Sequence, residues 1–330
     1  MKVKLGALTL ENNLILGPLL NVTTGPYRRF CRSFFNIGLV CVPMLYTKRI
    51  VTEPNILEIE LAKIEEERPI SVQLIGSNPK DLVKSIDLLE SYKFDVLDLN
   101  AGCPSKRAIK AKEGGFLLKN LSRLKIMLEK AVKHSSKPVS LKTRLGYDNL
   151  TNLNALADII NTSGIDFVTM HARLITDRFG ESTLNLHALK KLKKKVTIPV
   201  VGNGDISNSQ TALDYIENTK VNGLMIGRGS MGNPEIFAQI YNYLQKEMEE
   251  TFHNTKKLMK KRITLYEKIL KIYVEDLNLK YDKEEFIFIE LKRNAIWLTK
   301  DIKNATIYRT IISNAKSLCD LKIRLSELLS

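Results

Sequence analysis

The chain is short of the groups that cross-link proteins or hold metals. Its 330 residues include only four cysteines, Cys31, Cys41, Cys103 and Cys319, and no two are spaced as CxxC. Neither a disulfide framework nor a cysteine zinc site is indicated. Four histidines, His134, His171, His187 and His253, form no HExxH pattern, so no metal is expected. No apolar run approaches the roughly 18 residues that a bilayer span needs. The start, MKVKLGALTLENN, has neither the apolar centre nor the small-residue cleavage site of a signal peptide. The expectation is a cytoplasmic protein without membrane contact. Acidic residues are also in deficit: 36 Asp and Glu face 51 Lys and Arg, a formal charge of +15. Such an excess points to a polyanionic partner, although a lysine-rich genome and solubility alone produce the same balance.

What is present is alternation. Eight short, β-branched apolar runs recur: LILGP (14–18), GLVCVPM (38–44), ISVQLIG (70–76), DVLDLN (95–100), PVSLKTR (138–144), DFVTMHAR (166–173), IPVVGNG (198–204) and NGLMIGRG (222–229). Between them, segments such as NPKDLVKSIDLLESYK place apolar residues three and four apart and open on Asn, Ser or Thr caps. Strands buried on both faces and separated by helices imply a parallel sheet, and eight such units make an α/β protein with a closed (β/α)8 TIM barrel. An open doubly wound sheet is the rival, but the GxGxxG fingerprint it would carry after its first strand is missing.

After about residue 245 the alternation stops and the pattern is helical: KKLMKKRITLYEKILKIYVEDL, EEFIFIELKRNAIWLTKDI and TIYRTIISNAKSLCDLKIRLSELL. The expected organisation is a barrel domain over 1–245 and a C-terminal all-helical domain over 246–330, joined near HNTKK. Residues 251–330 hold 17 Lys and Arg against 10 Asp and Glu, so the appendage carries nearly half of the excess charge.

A barrel of this kind works at the C-terminal ends of its strands. The polar residues closing the apolar runs are Gln73, then Asn100 with Cys103, Lys142 with Arg144, His171 with Arg173, Asn203 with Asp205, and Arg228. The last two loops, GNGD with Gly204 and IGRGS with Gly227, let backbone N–H groups approach a phosphate onto which Arg228 can fork; strand-end packing is the blander use of such glycines. Lys142 at a buried strand end needs an acceptor. A flavin ring, with Gln73, Asn100 and His171 supplying further hydrogen bonds, is one candidate; a structural salt bridge to Asp98 is the other. Cys103, framed by Gly102 and Pro104, is placed to act as a general acid, because a thiol of ordinary pKa about 8.5 is protonated at neutral pH. Cys31, Cys41 and Cys319 read as packing. The basic run Lys106, Arg107, Lys110 and Lys112 either grips phosphates or forms a solvated loop.

Several blocks together resemble the flavin-dependent tRNA-dihydrouridine synthases: GPLLNVTTGPYRRF, PISVQLIGSNP, LDLNAGCPSKRAIKAKEGGFLLKN, LKTRLGY, MHAR, NGDI, LMIGRGSMGNPEIF and, in the tail, LKRNAIWLTKDIKNATIYR. The resemblance implies FMN across the barrel mouth, with Pro18, Leu19 and Leu20 beneath it. Gln73, Lys142 and His171 would surround the ring, and Asn203, Gly204, Asp205, Gly227 and Arg228 would lie near its phosphate. It further implies hydride transfer to uridine C6, Cys103 as proton donor to C5, and NADPH or NADH as reductant. Asn100 and Arg173 would hold the uracil, and Lys106, Arg107, Lys292, Arg293 and Arg309 would contact tRNA. No obligate protein partner is implied. Leu19, Thr24, Val42, Pro43 and Asn294 depart from the family's usual residues. Two rivals remain at this level, a flavin barrel acting on a free pyrimidine and a tRNA-binding protein without flavin.

Overall fold

The structure is a computed structural model describing residues 2–180, 183–246, 254–277 and 282–330. Eight strands, β3 (Leu14–Leu16), β4 (Leu39–Tyr46), β5 (Ile70–Ile75), β6 (Val96–Ala101), β7 (Val139–Gly146), β8 (Phe167–Leu174), β9 (Val200–Asn203) and β10 (Gly223–Ile226), close into a parallel barrel. All eight expected runs are strands. The ring closes where β10 pairs with β3, Leu224 opposite Leu14. Helices between the strands cover the outside; one of them, Pro79–Leu89, starts on Asn78, whose side chain accepts the N–H of Lys80 at 2.9 Å.

An N-terminal hairpin, β1 (Val3–Leu5) with β2 (Leu8–Leu10), was not legible as strands. Its Leu5 and Leu10 pack with Ile15, Leu39, Val96, Phe167, Val201 and Met225, closing the lower end of the barrel with apolar side chains. Side chains alternate along a strand. Inward positions therefore climb from that plug to polar residues, as in Phe167–Thr169–His171, Val96–Asp98–Asn100 and Val201–Asn203. A register slip of one residue would turn that polar layer into the helix-facing core.

Pro43 and Val42 sit where β4 changes register against β5, between Val42 and Leu45. A bulge is where a strand tolerates a proline, which has no N–H to give to the ladder.

Among the described residues, four helices follow the barrel: Lys256–Val274, Lys283–Leu298, Ala305–Ser313 and Leu318–Leu329. The third helical run of the sequence is thus two helices, because Ser317 caps a new one by accepting the N–H of Asp320. The expected boundary at 245/246 abuts residues 247–253, which lie, with His253, outside the described residues. The helical part packs on the helix Gly25–Arg32: Tyr27 meets Trp297 edge-on at 5.8 Å. Beside it Thr24 and Tyr266 both donate to Glu290, at 2.8 and 2.9 Å. Thr24 is thus a hydroxyl donor facing a buried carboxylate. Asn294 donates to the Glu290 carbonyl within its own helix. No helix among the described residues is long and apolar enough to cross a membrane.

Candidate active site

The C-terminal ends of the strands surround a cavity of about 880 Å3, a size typical of small-molecule and cofactor sites. Pro18, Leu19, Leu20, Gln73, Asn100, Cys103, Lys106, Lys142, His171, Asn203, Gly204, Asp205, Gly227 and Arg228 all line it. Residues up to 210 positions apart in the chain therefore share one wall, because each ends a strand or begins the following loop.

Asp98 anchors one side. Buried in the barrel, it accepts Gln73 Nε2 and the Ser140 hydroxyl, each at 2.6 Å. Gln73 Oε1 in turn accepts Asn100 Nδ2 at 2.9 Å. Asn100 Oδ1 then receives the backbone N–H groups of Gly102 and Cys103, at 3.0 and 2.9 Å. A polar chain thus runs from the barrel interior to the cysteine loop, fixing the orientation of each amide by its neighbour. Burial raises the Asp98 carboxyl above its ordinary value, against the two hydrogen bonds and the Lys142 charge.

Cys103 is half-buried, with Sγ 3.3 Å from the Ser105 hydroxyl. The basic run after it is not a loop: Lys106–Lys110 form a short helix capped by Ser105, whose side chain accepts the N–H of Ala108. Lys106 reaches the cavity, whereas Arg107 stacks over the Tyr46 ring at 4.2 Å.

Lys142 makes no ion pair with Asp98; its Nζ lies 3.1 Å from Asn203 Oδ1, a neutral acceptor. Asn203 is itself held by donating to the Met225 carbonyl at 2.7 Å. Burial and the neighbouring Arg144 guanidinium draw the Lys142 ammonium down to about 8, with Asp98 opposing them. His171 is pushed far below its ordinary value by burial and by Lys142, Arg144, Arg173 and Arg228, so it is a neutral imidazole. Its Nδ1 is buried without a partner.

The loops after β9 and β10 meet through Asp205, which takes Arg228 at 2.6 Å and also pairs with Arg173. Arg173 is only 1% exposed and donates further from Nε to Thr183 and from Nη2 to the Gly180 carbonyl, while its buried Nη1 has no partner. It lies behind the cavity wall as a clamp on Asp205. Arg144, named in the sequence as a strand end without a role, does line the cavity, beside Arg178 and Arg228. Phe179 stands at the mouth between Arg144 and Arg228, 5.2 and 4.9 Å from its ring centre, with the His171 ring 6.4 Å away. Arg178, Phe179 and Lys300 also line the cavity and carry no sequence signal, since they lie in a loop or in the distant helical part; Met44, the last residue of the expected run 38–44, lines it from β4.

The three cations expected on the helical surface each have an intramolecular partner, with Arg309 remaining exposed. Lys292 Nζ donates to the Ala315 carbonyl at 2.7 Å, Arg293 bridges Glu290 and the Asn21 carbonyl, and Arg309 Nε donates to Thr299 at 2.9 Å.

A closed barrel of eight parallel strands with a cation-rich cavity at their C-terminal ends defines a (β/α)8-barrel enzyme. The family model described as dihydrouridine synthase matches residues 15–329, and the chain belongs to that family. It is 32% identical over 247 residues to the tRNA-dihydrouridine synthase B of Pasteurella multocida, covering 74% of each chain. To a probable tRNA-dihydrouridine synthase of Rickettsia conorii it is 27% identical over 328 residues, covering 98% of this chain and 96% of that one. Among solved structures, the 6-hydroxypseudooxynicotine amine oxidase of Pseudomonas geniculata superposes with a TM-score of 0.56 at 14% identity, covering 74% of this chain and 49% of that one. A morphinone reductase variant in complex with tetrahydroNAD gives 0.53 at 10% identity, covering 75% and 90%. At such identities the likeness is one of fold.

Proposed function

We propose that the protein reduces the C5–C6 double bond of uridines in tRNA, with FMN as its cofactor, NADPH or NADH as reductant and Cys103 as the proton donor. The observation that carries this reading is the meeting, in one cofactor-sized cavity, of a thiol, an ammonium without a carboxylate partner and an imidazole with an orphaned nitrogen.

These groups fit a flavin. Lys142 holds a positive charge where the ring gains negative charge, and the unpaired His171 Nδ1 offers a hydrogen-bonding site beside it. Pro18, Leu19 and Leu20 supply an apolar floor, while Arg228 and the glycines Gly204 and Gly227 suit a phosphate. Gly204 sits at φ +122, and a Cβ there would come within 2.8 Å of Leu184. No side chain fits between that loop and its neighbours.

Bound FMN, once reduced by NAD(P)H, would supply the hydride that adds to uracil C6. Cys103 Sγ–H gives its proton to C5, and the thiolate left behind regains a proton from solvent. Asn100 holds the loop that carries Cys103, so the thiol is aimed by two backbone hydrogen bonds. Lys142 and Arg144 place positive charge where the uracil carbonyls would polarise. A uridine has to leave its stack to reach this depth, which requires the enzyme to grip folded RNA away from the chemistry. The basic helical part over 246–330 is suited to that grip as a separate domain, with Lys106 at the cavity rim.

The test is to measure flavin released from the purified protein and dihydrouridine formed in unmodified tRNA with NADPH or NADH. Retained FMN with dihydrouridine in the product supports the reading. A flavin-free protein that binds tRNA without altering it, or turnover of a free pyrimidine insensitive to salt, overturns it.

A further inference from the structure

The helical part contributes one cation to the cavity itself. Lys300, in the turn after the helix Lys283–Leu298, lines the same cavity as Cys103 and Arg228. It is half-buried, and among the described residues its ammonium makes no hydrogen bond or ion pair, unlike Lys292, Arg293 and Arg309.

The turn that carries it is locked to the barrel. Asn254 Nδ2 donates to the carbonyls of Leu298 and Lys300, at 2.9 and 2.6 Å. Asn254 Oδ1 accepts Arg262 Nη1 at 3.3 Å, and the same Nη1 lies 3.2 Å from the carbonyl of Gly232, in the loop after β10. The Arg262 guanidinium is buried and closes the lock with an ion pair to Glu235. Gly232 has φ +79, and a Cβ on it would come within 2.3 Å of the Trp297 carbonyl oxygen and 2.9 Å of Lys300 Cβ. Turn and loop are therefore in direct backbone contact, an arrangement that fixes where the Lys300 side chain begins.

We propose that Lys300 is a phosphate-binding residue supplied to the active site by the helical part, and that Asn254 is its positioning residue. Among the described residues, the wall it joins carries Lys106, Lys142, Arg144, Arg178 and Arg228 against one carboxylate, Asp205, which is already paired twice. An unpaired ammonium among cations calls for an anion, and a lysine serves phosphate as a compact point charge. Under the function proposed above, on which this inference rests, two phosphoryl groups enter the cavity: the monophosphate of the cofactor and the phosphodiester beside the target nucleotide.

The experiment compares wild type with Lys300→Gln and Asn254→Ala in two titrations. Apoprotein is titrated with FMN and with riboflavin, which lacks the phosphate, and the flavin-loaded enzyme is assayed for kcat and KM with tRNA. Loss of one charge-assisted contact is expected to weaken one phosphate ligand by roughly tenfold or more. FMN affinity falling with riboflavin affinity kept assigns Lys300 to the cofactor. FMN affinity kept with KM for tRNA raised and kcat retained assigns it to the RNA backbone. Asn254→Ala is expected to shift the same parameter in the same direction by less. Unchanged FMN affinity together with unchanged KM, or an equal loss for FMN and riboflavin, overturns the inference. Wild type that neither binds flavin nor forms dihydrouridine overturns the underlying function instead.

Discussion

Asn100 Oδ1 receives the backbone N–H of Cys103 at 2.9 Å, and Asn100 Nδ2 is spent on Gln73. The carboxamide has both its acceptor and a donor committed inside the protein, and these bonds brace the loop that carries the thiol. Asn100→Ala removes these bonds, and turnover of tRNA is expected to fall roughly 100-fold, the cost of misplacing a reacting group by about an ångström. Tight tRNA binding should persist. Rapid-mixing single-turnover assays check this, and a variant with wild-type single-turnover rate would show that the loop needs no such support.

Cys103→Ala is expected to retain flavin and tRNA affinity while reduction of uridine slows by about 10²- to 10⁴-fold, the range that a positioned general acid contributes. The readouts are the absorbance of bound flavin, gel-shift affinity and dihydrouridine yield. Loss of flavin in this variant would place the thiol in binding rather than proton transfer.

Lys142 titrates near 8 against an ordinary value of 10.5, with burial as the leading cause. Its folded value lies below the unfolded one, so the unfolded chain binds more protons between these limits. The flavin-free fold therefore gains stability as pH rises through that window. Flavin binding runs the other way, because the ring prefers the charged ammonium: affinity should drop as pH climbs above about 8. Fluorescence titration from pH 7 upwards should show this slope in wild type and none in Lys142→Met. A pH-independent affinity would remove Lys142 from the ring's environment.

Thr24 donates to Glu290, which also takes Tyr266 and Arg293. Thr24→Asp sets a second carboxylate against a buried one and is expected to cost about 1–3 kcal/mol in urea unfolding, the penalty for a buried polar group left without its partner. Combining it with Glu290→Gln should recover most of the loss. If the single variant is as stable as wild type, the Thr24 hydrogen bond contributes nothing to docking of the helical part.

Asp98 accepts from Gln73 and Ser140 inside the barrel. Asp98→Ala strands both donors and is expected to destabilise the fold by roughly 2–6 kcal/mol, at about 1–3 kcal/mol for each orphaned group. Denaturant midpoints with an unchanged slope would register it.

The barrel was legible because its signals are local. Eight apolar runs between capped helical segments carry strand, helix and turn chemistry within windows of ten to twenty residues. The N-terminal hairpin escaped because strands of three residues, Val3–Leu5 and Leu8–Leu10, are too short to show alternation. The break at 314–317 escaped because Ser317 becomes a cap only once the preceding helix has ended.

The sequence by itself determined the closed barrel, the helical appendage, the family blocks and the set of strand-end groups that face one cavity, since strand parity and loop position follow from residue order. Only the tertiary structure decided which cations remain free. Arg173 pairs with Asp205, Lys292 with the Ala315 carbonyl, and Arg293 with Glu290 and the Asn21 carbonyl, whereas Lys142 and Lys300 are left without a carboxylate. Folding decides whether a charge gains a partner, because most of those partners lie far away along the chain.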